Sequence, residues 1–218
     1  MPAYAIYKTL RRHFGFRDWW PGDSQFEVFV GAILTQQTTW GNVEKAILNL
    51  KRHNALDMGK IAKMPVRELQ GLVRPSGYYR QKARRLKSIC RSITKEHGSL
   101  SAMLELDKEE LRRTLLSYNG IGMETADSII LYAAQKPIFV IDAYTKRAMH
   151  RIDPNISEGI EYDDLRAYFE SSIKRDVTLY KDFHAQFVEL GKSYCRKSKP
   201  LCHKCPVRKS CSFGSTAW

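Results

Sequence analysis

The chain lacks any apolar run long enough to cross a membrane: over 218 residues its longest stretches, such as Phe26 to Leu34 and Pro137 to Ile141, are broken or short. It has no cleavable apolar leader between Met1 and Gly15 and no organelle presequence, so a soluble protein of a prokaryotic cytoplasm is expected. Alternating β-branched runs are nearly absent, which argues against a sheet. Neither an internal repeat nor a low-complexity linker interrupts the sequence. Acidic residues are scarce, 23 against 36 lysines and arginines, and none follows Glu189. The resulting formal charge of +13 favours a polyanionic partner, with nucleic acid the first candidate against a merely solvated basic face.

What is present is helical from end to end, so an all-α fold is expected. Apolar residues make up 43% of the chain, enough for the core of one large domain or two small ones. Ser24-Gln25-Phe26-Glu27 reads as a capping box before a buried helix, and a second helix follows from Asn42. Pro65 suits the first turn of a short helix that Arg74 ends, because Pro75 follows; Ser76-Gly77 is then a turn. Arg80 to Ile93 reads as a basic amphipathic helix with Ala83, Leu86, Ile89 and Cys90 inward, which makes Cys90 a core residue. Asp107 with Glu110 caps Lys108 to Tyr118, and another helix runs from about Met123 to Ala134. Pro137 to Ile141 is apolar and extended, Asp142 caps the helix after it, and further helices lie near Glu161 to Ile173 and Leu179 to Lys192.

Cys195, Cys202, Cys205 and Cys211 form a C-x6-C-x2-C-x5-C run in a basic segment, which points to a metal site. Disulfides could use the same residues, but the missing leader and the fifth, isolated Cys90 speak against them. A zinc site commonly pairs two C-x2-C knuckles, and only Cys202 and Cys205 form one; a [4Fe–4S] cubane also suits four thiolates. Both metals stay open on spacing alone. The Gly120-Ile121-Gly122 turn between two helices allows unusual backbone angles at both glycines, with Ile121 packed inward. It leaves amides free at the start of the second helix, where a phosphate can bind. A plain packing corner is the other reading of this turn, as a simple helix cap is for Asp142.

GIGMETADSII followed by PIFVIDAYTKR resembles the helix-hairpin-helix and Gly-Pro-Asp region of the endonuclease III superfamily of DNA glycosylases, and the cysteine spacing is similar to that family's iron–sulfur loop. With GAILTQQTTW the likeness covers roughly residues 20 to 211. It implies two helical lobes: a six-helix barrel with the hairpin, at about 22–134, and a second domain from residues 1–21 and 135–218. That second domain would hold a [4Fe–4S] cluster on Cys195, Cys202, Cys205 and Cys211, with double-stranded DNA in the groove between the lobes. A monomer is expected. Asp142 matches the catalytic carboxylate.

Strand-cleaving members carry a lysine where Glu124 stands, which implies hydrolysis without lyase activity, although Lys146 keeps the lyase reading open. WWP, LTQQTTW, RPSGYYRQKA and GIGMETAD together resemble the 3-methyladenine (methylpurine) branch. There the base is sandwiched by aromatic rings at the positions of Trp20 and Trp40, with Glu124 as a further pocket candidate or a solvated residue. Gln37 matches the residue that fills the gap left by a flipped base, and Tyr78 the wedge on the other strand. Gly120, Gly122, Arg80, Lys82 and Arg84 are expected on phosphates. An adenine- or thymine-mismatch glycosylase, a bifunctional enzyme and a DNA-binding module without chemistry are the competing readings.

Overall fold

The computed structural model describes residues 2–17 and 19–216, and they contain helices, turns and extended connections but no strand. Met1, Asp18, Ala217 and Trp218, which the expected terminal domain includes, lie outside the described residues. No helix among the described residues is long and apolar enough to cross a membrane. The chain divides into two compact units, one spanning Pro21–Lys136 and the other built from the segments that flank it.

Helix α1 (Ala3–Phe14) opens the flanking unit and has no counterpart in the sequence reading. In the central unit, α2 (Gln25–Leu34) starts where the capping signal falls: Ser24 Oγ accepts from Glu27 N at 3.1 Å. The Glu27 carboxylate reaches back to Asp23 N at 3.2 Å and pairs with Lys51 at 2.8 Å, which compensates its burial. Helix α3 (Trp40–Arg52) begins at Trp40, two residues before the expected start. Two short helices, α4 (Met58–Lys63) and α5 (Val66–Leu72), follow, and Pro65 caps the second from outside its first turn. That helix stops at Leu72, and Arg74–Ser76 forms a separate 3₁₀ turn.

Helix α6 (Tyr79–His97) is longer than expected at both ends and buries Ala83, Leu86, Ile89 and Cys90 as its spacing requires. Helices α7 (Leu100–Glu105) and α8 (Lys108–Ser117) come next, the latter capped by Asp107, which accepts from Glu109 N and Glu110 N at 3.0 Å each. Helix α9 (Met123–Ser128) runs on into a π turn over Ile129–Ala133. Helices α8 and α9 are clasped by a part-buried ion pair in which Arg112 Nε donates to the buried Asp127 Oδ1 at 2.7 Å.

The flanking unit resumes with the extended, buried segment Ile138 to Ile141, then α10 (Ala143–Ile152), α11 (Tyr162–Ser172) and α12 (Val177–Ser193). Short 3₁₀ turns in the cysteine loop lead to α13 (Ser212–Thr216). Its core is aromatic: Phe139 stacks on Phe169 at 4.2 Å between centroids and Phe183 on Phe187 at 4.8 Å. The buried Asp182 of α12 collects Tyr7 Oη at 2.7 Å, Arg17 N at 3.0 Å, Gln186 Nε2 at 2.8 Å and Arg11 Nε at 3.1 Å, tying α1 and the chain after it to this core. Helices α10 and α12 approach so closely that a Cβ on Gly191 would stand 2.2 Å from the Tyr144 ring.

Candidate active site

Asp142 ends the extended segment and caps α10, and both roles follow from its short carboxylate. Oδ1 accepts from Thr145 N at 2.7 Å and from Thr145 Oγ1 at 2.8 Å. Oδ2 lies 3.5 Å from Nε2 of His184, which α12 presents from the other side. The carboxylate is 8% exposed. Burial works to raise its pKa, but the His184 side chain and the Thr145 donors together outweigh burial and hold it below the ordinary carboxylate value. The result is a fixed anion with one oxygen committed to the helix and one facing an imidazole. Lys146 follows in the same helix and is half-buried.

In the central unit the hairpin turn matches the expectation at one glycine and departs from it at the other. Gly120 has φ 94, where an L side chain is strained, and a Cβ there would stand 2.4 Å from Arg85 Cδ and push that side chain aside. Gly122 has φ −95 and ψ 177, extended backbone open to any residue, and nothing lies near its missing Cβ. Ile121 packs inward, and Glu124 is exposed on the first turn of α9. Sequence reasoning missed what holds this turn: Gln36 Nε2 donates to Gly120 O at 2.8 Å and to Thr125 Oγ1 at 3.1 Å.

Gln37 and Tyr78 are both exposed and both left-handed, with φ 53 and 45. Arg80 is exposed, its guanidinium 5.9 Å from the Tyr79 ring. Lys82 corrects the expectation of a phosphate contact: it is 2% exposed, and its Nζ donates to Leu34 O at 2.8 Å and Ser76 O at 2.6 Å. Its position, four residues before Leu86 and seven before Ile89, places it on the inward face of α6, a signal already present in the sequence. Trp20 belongs to the flanking unit and Trp40 to the central one; each is half-buried, and Trp40 Nε1 donates to Glu44 Oε1 at 2.8 Å.

The thiols of Cys195, Cys202, Cys205 and Cys211 are unbridged and line one cavity beside Arg151, Tyr194 and Phe213. Donors already point at two of the sulfurs: Arg151 NH1 is 3.4 Å from Cys195 Sγ, and Gly214 N is 3.3 Å from Cys211 Sγ. Among the described residues no group of three or more His, Cys, Asp or Glu side chains is set to hold a single metal ion. Arg147 Nε donates to Cys195 O at 2.8 Å and Arg151 NH1 to Arg196 O at 2.7 Å, so α10, which Asp142 caps, is also bolted to the cysteine loop.

The family model of the HhH-GPD superfamily of base excision DNA repair proteins matches residues 30–175. A Methanocaldococcus jannaschii protein provisionally named DNA repair glycosylase MJ1434 is 46% identical over 210 residues, which cover 95% of this chain and 94% of that one. The Helicobacter pylori 3-methyladenine DNA glycosylase (MagIII), solved bound to 1,N6-ethenoadenine, superposes with a TM-score of 0.77 at 30% identity, over 88% of this chain and 98% of that one. A thermostable thymine-DNA glycosylase shares the fold, with a TM-score of 0.82 at 21% identity over 99% of this chain and 97% of that one.

Proposed function

Because the chain belongs to the HhH-GPD superfamily of base excision DNA repair proteins and is one of its DNA N-glycosylases, we propose that it flips alkylated purines out of double-stranded DNA and removes them by hydrolysis. The substrates are 3-methyladenine first and 7-methylguanine with it. The observation that carries this reading is the buried carboxylate of Asp142, held by Thr145 and facing His184, taken with the likeness to a 3-methyladenine glycosylase.

Breaking an N-glycosidic bond leaves a sugar with oxocarbenium character, and a fixed anion beside it stabilises the developing charge or orients the attacking water. Asp142 meets that need because His184 and Thr145 hold its pKa below the ordinary carboxylate value against the upward push of burial. An N3- or N7-alkylated purine is itself cationic and leaves without a general acid, so one carboxylate and aromatic stacking suffice. Trp20 and Trp40 supply indole faces on which such a cation stacks. Glu124 offers no amine for a Schiff base, which supports hydrolysis over strand cleavage.

Extruding the base leaves a gap in the duplex, which Gln37 fills while Tyr78 wedges the other strand. The amides after Gly120 and the Arg80 guanidinium hold phosphates, so affinity falls with added salt. Cys195, Cys202, Cys205 and Cys211 fit a [4Fe–4S] cluster, since four unbridged thiols line one cavity. Bound there, such a cluster would supply cross-linking rather than chemistry, because hydrolysis moves no electron. Arg147 and Arg151 carry that rigidity to α10.

A panel of duplexes bearing 3-methyladenine, 7-methylguanine, hypoxanthine, mismatched thymine or adenine, and oxidised pyrimidine tests the reading. Fastest release of 3-methyladenine is expected; fastest release of mismatched thymine or oxidised pyrimidine overturns it.

A further inference from the structure

Lys82 is an ammonium in a place that an apolar side chain of similar length would fill. It is 2% exposed, sits on the core face of α6, and among the described residues pairs with no acid. Burial lowers its pKa to about 8, a sign that the site opposes the charge rather than inviting it. Buried charge without a counter-ion is costly, so what the ammonium holds is informative.

It holds two carbonyls from segments far apart in sequence. Leu34 O, at 2.8 Å, belongs to the last residue of α2, where the helix leaves carbonyls unpaired and its dipole is negative. Ser76 O, at 2.6 Å, belongs to the last residue of the 3₁₀ turn. Gln37 follows three residues after the first carbonyl and Tyr78 two residues after the second. Both adopt left-handed backbone, which costs a non-glycine residue about 1–2 kcal/mol and persists only where the surroundings impose it. Tyr78 is also 65% exposed, so its own side chain does not hold it in place.

We infer that Lys82 is a positioning residue that binds the Gln37 loop to the Tyr78 loop and so fixes the spacing at which those two side chains enter a duplex. The inference rests on the gap-filling and wedge roles proposed above. The ammonium touches neither DNA nor base; it acts through the two loops, adding a direct link between them to the packing of α2, α3 and α6.

The test uses the full-length protein and a duplex carrying 2-aminopurine beside an alkylated purine, so that fluorescence reports local unstacking. Gln37→Ala and Tyr78→Ala are measured first: a diminished rise in each upholds the underlying roles, and an unchanged rise in both removes them and this inference with them. Lys82→Met, which keeps the stem and loses the ammonium, is then expected to diminish the fluorescence rise and to slow single-turnover base release by roughly 10–10²-fold. Affinity for undamaged duplex should be unchanged, and in a Gln37→Ala/Tyr78→Ala background Lys82→Met should add nothing. Thermal melting accompanies each variant; if Lys82→Met melts below the assay temperature, Lys82→Gln carries the same comparison. A full fluorescence rise in the lysine variant, or an equal loss of rate in the Gln37→Ala/Tyr78→Ala background, overturns the inference while leaving the Gln37 and Tyr78 roles intact.

Discussion

His184 Nε2 stands 3.5 Å from Asp142 Oδ2, and the two residues come from α12 and from the cap of α10, 42 positions apart in the chain. With the Thr145 donors, this contact holds the carboxylate pKa below its ordinary value although water scarcely reaches it.

Replacing His184 with alanine removes that support and leaves burial unopposed except by Thr145, so the Asp142 pKa rises. The acid limb of the single-turnover pH–rate profile is expected to move to higher pH. An unchanged limb would show that Thr145 alone keeps the charge. Stability responds in the matching sense. Because the folded pKa of Asp142 lies below its unfolded value of about 3.9, this residue's contribution is present above that value and is lost as pH falls through the lower folded pKa. Acid unfolding of Asp142→Asn should therefore be shallower over that window than that of the wild type.

Gly120→Ala places a methyl where Arg85 already lies and forces alanine to a φ of 94. A loss of about 1–3 kcal/mol in denaturant unfolding is expected, together with weaker binding to undamaged duplex and a smaller salt dependence. Gly122→Ala should be nearly silent in both measurements, because extended backbone and open space await the methyl. Equal effects at the two glycines would contradict this division.

Trp20→Ala and Trp40→Ala should each slow release of alkylated purines while leaving affinity for undamaged duplex close to wild type. Stacking on an aromatic face contributes about 1–3 kcal/mol per base, a loss of roughly ten- to a hundredfold in rate if it acts on the bound lesion. Parallel loss of catalysis and duplex binding would assign the indoles to packing.

What the sequence made legible is what is local. Ser24, Asp107 and Asp142 announce helix starts because a capping side chain bonds amides two or three residues away, within the reach of a short motif. Cys90 was readable as core from the spacing of α6 alone. Lys82 carried the same spacing signal, but its charge suggested solvent or phosphate, and only the carbonyls of Leu34 and Ser76 explain how an ammonium is accommodated there. His184 and Gln36 had no local signature, since the partners of each lie dozens of residues away. The departure at Gly122 has another origin: a Gly-x-Gly spelling does not say which of its glycines bears the left-handed angle.

The most direct measurement is single-turnover release of 3-methyladenine by Asp142→Asn, a change that leaves an oxygen to accept from Thr145 while it removes the charge and turns the oxygen facing His184 into an amide NH2. The account predicts a rate lower by on the order of 10²-fold or more with duplex affinity retained. Release at the wild-type rate would contradict it.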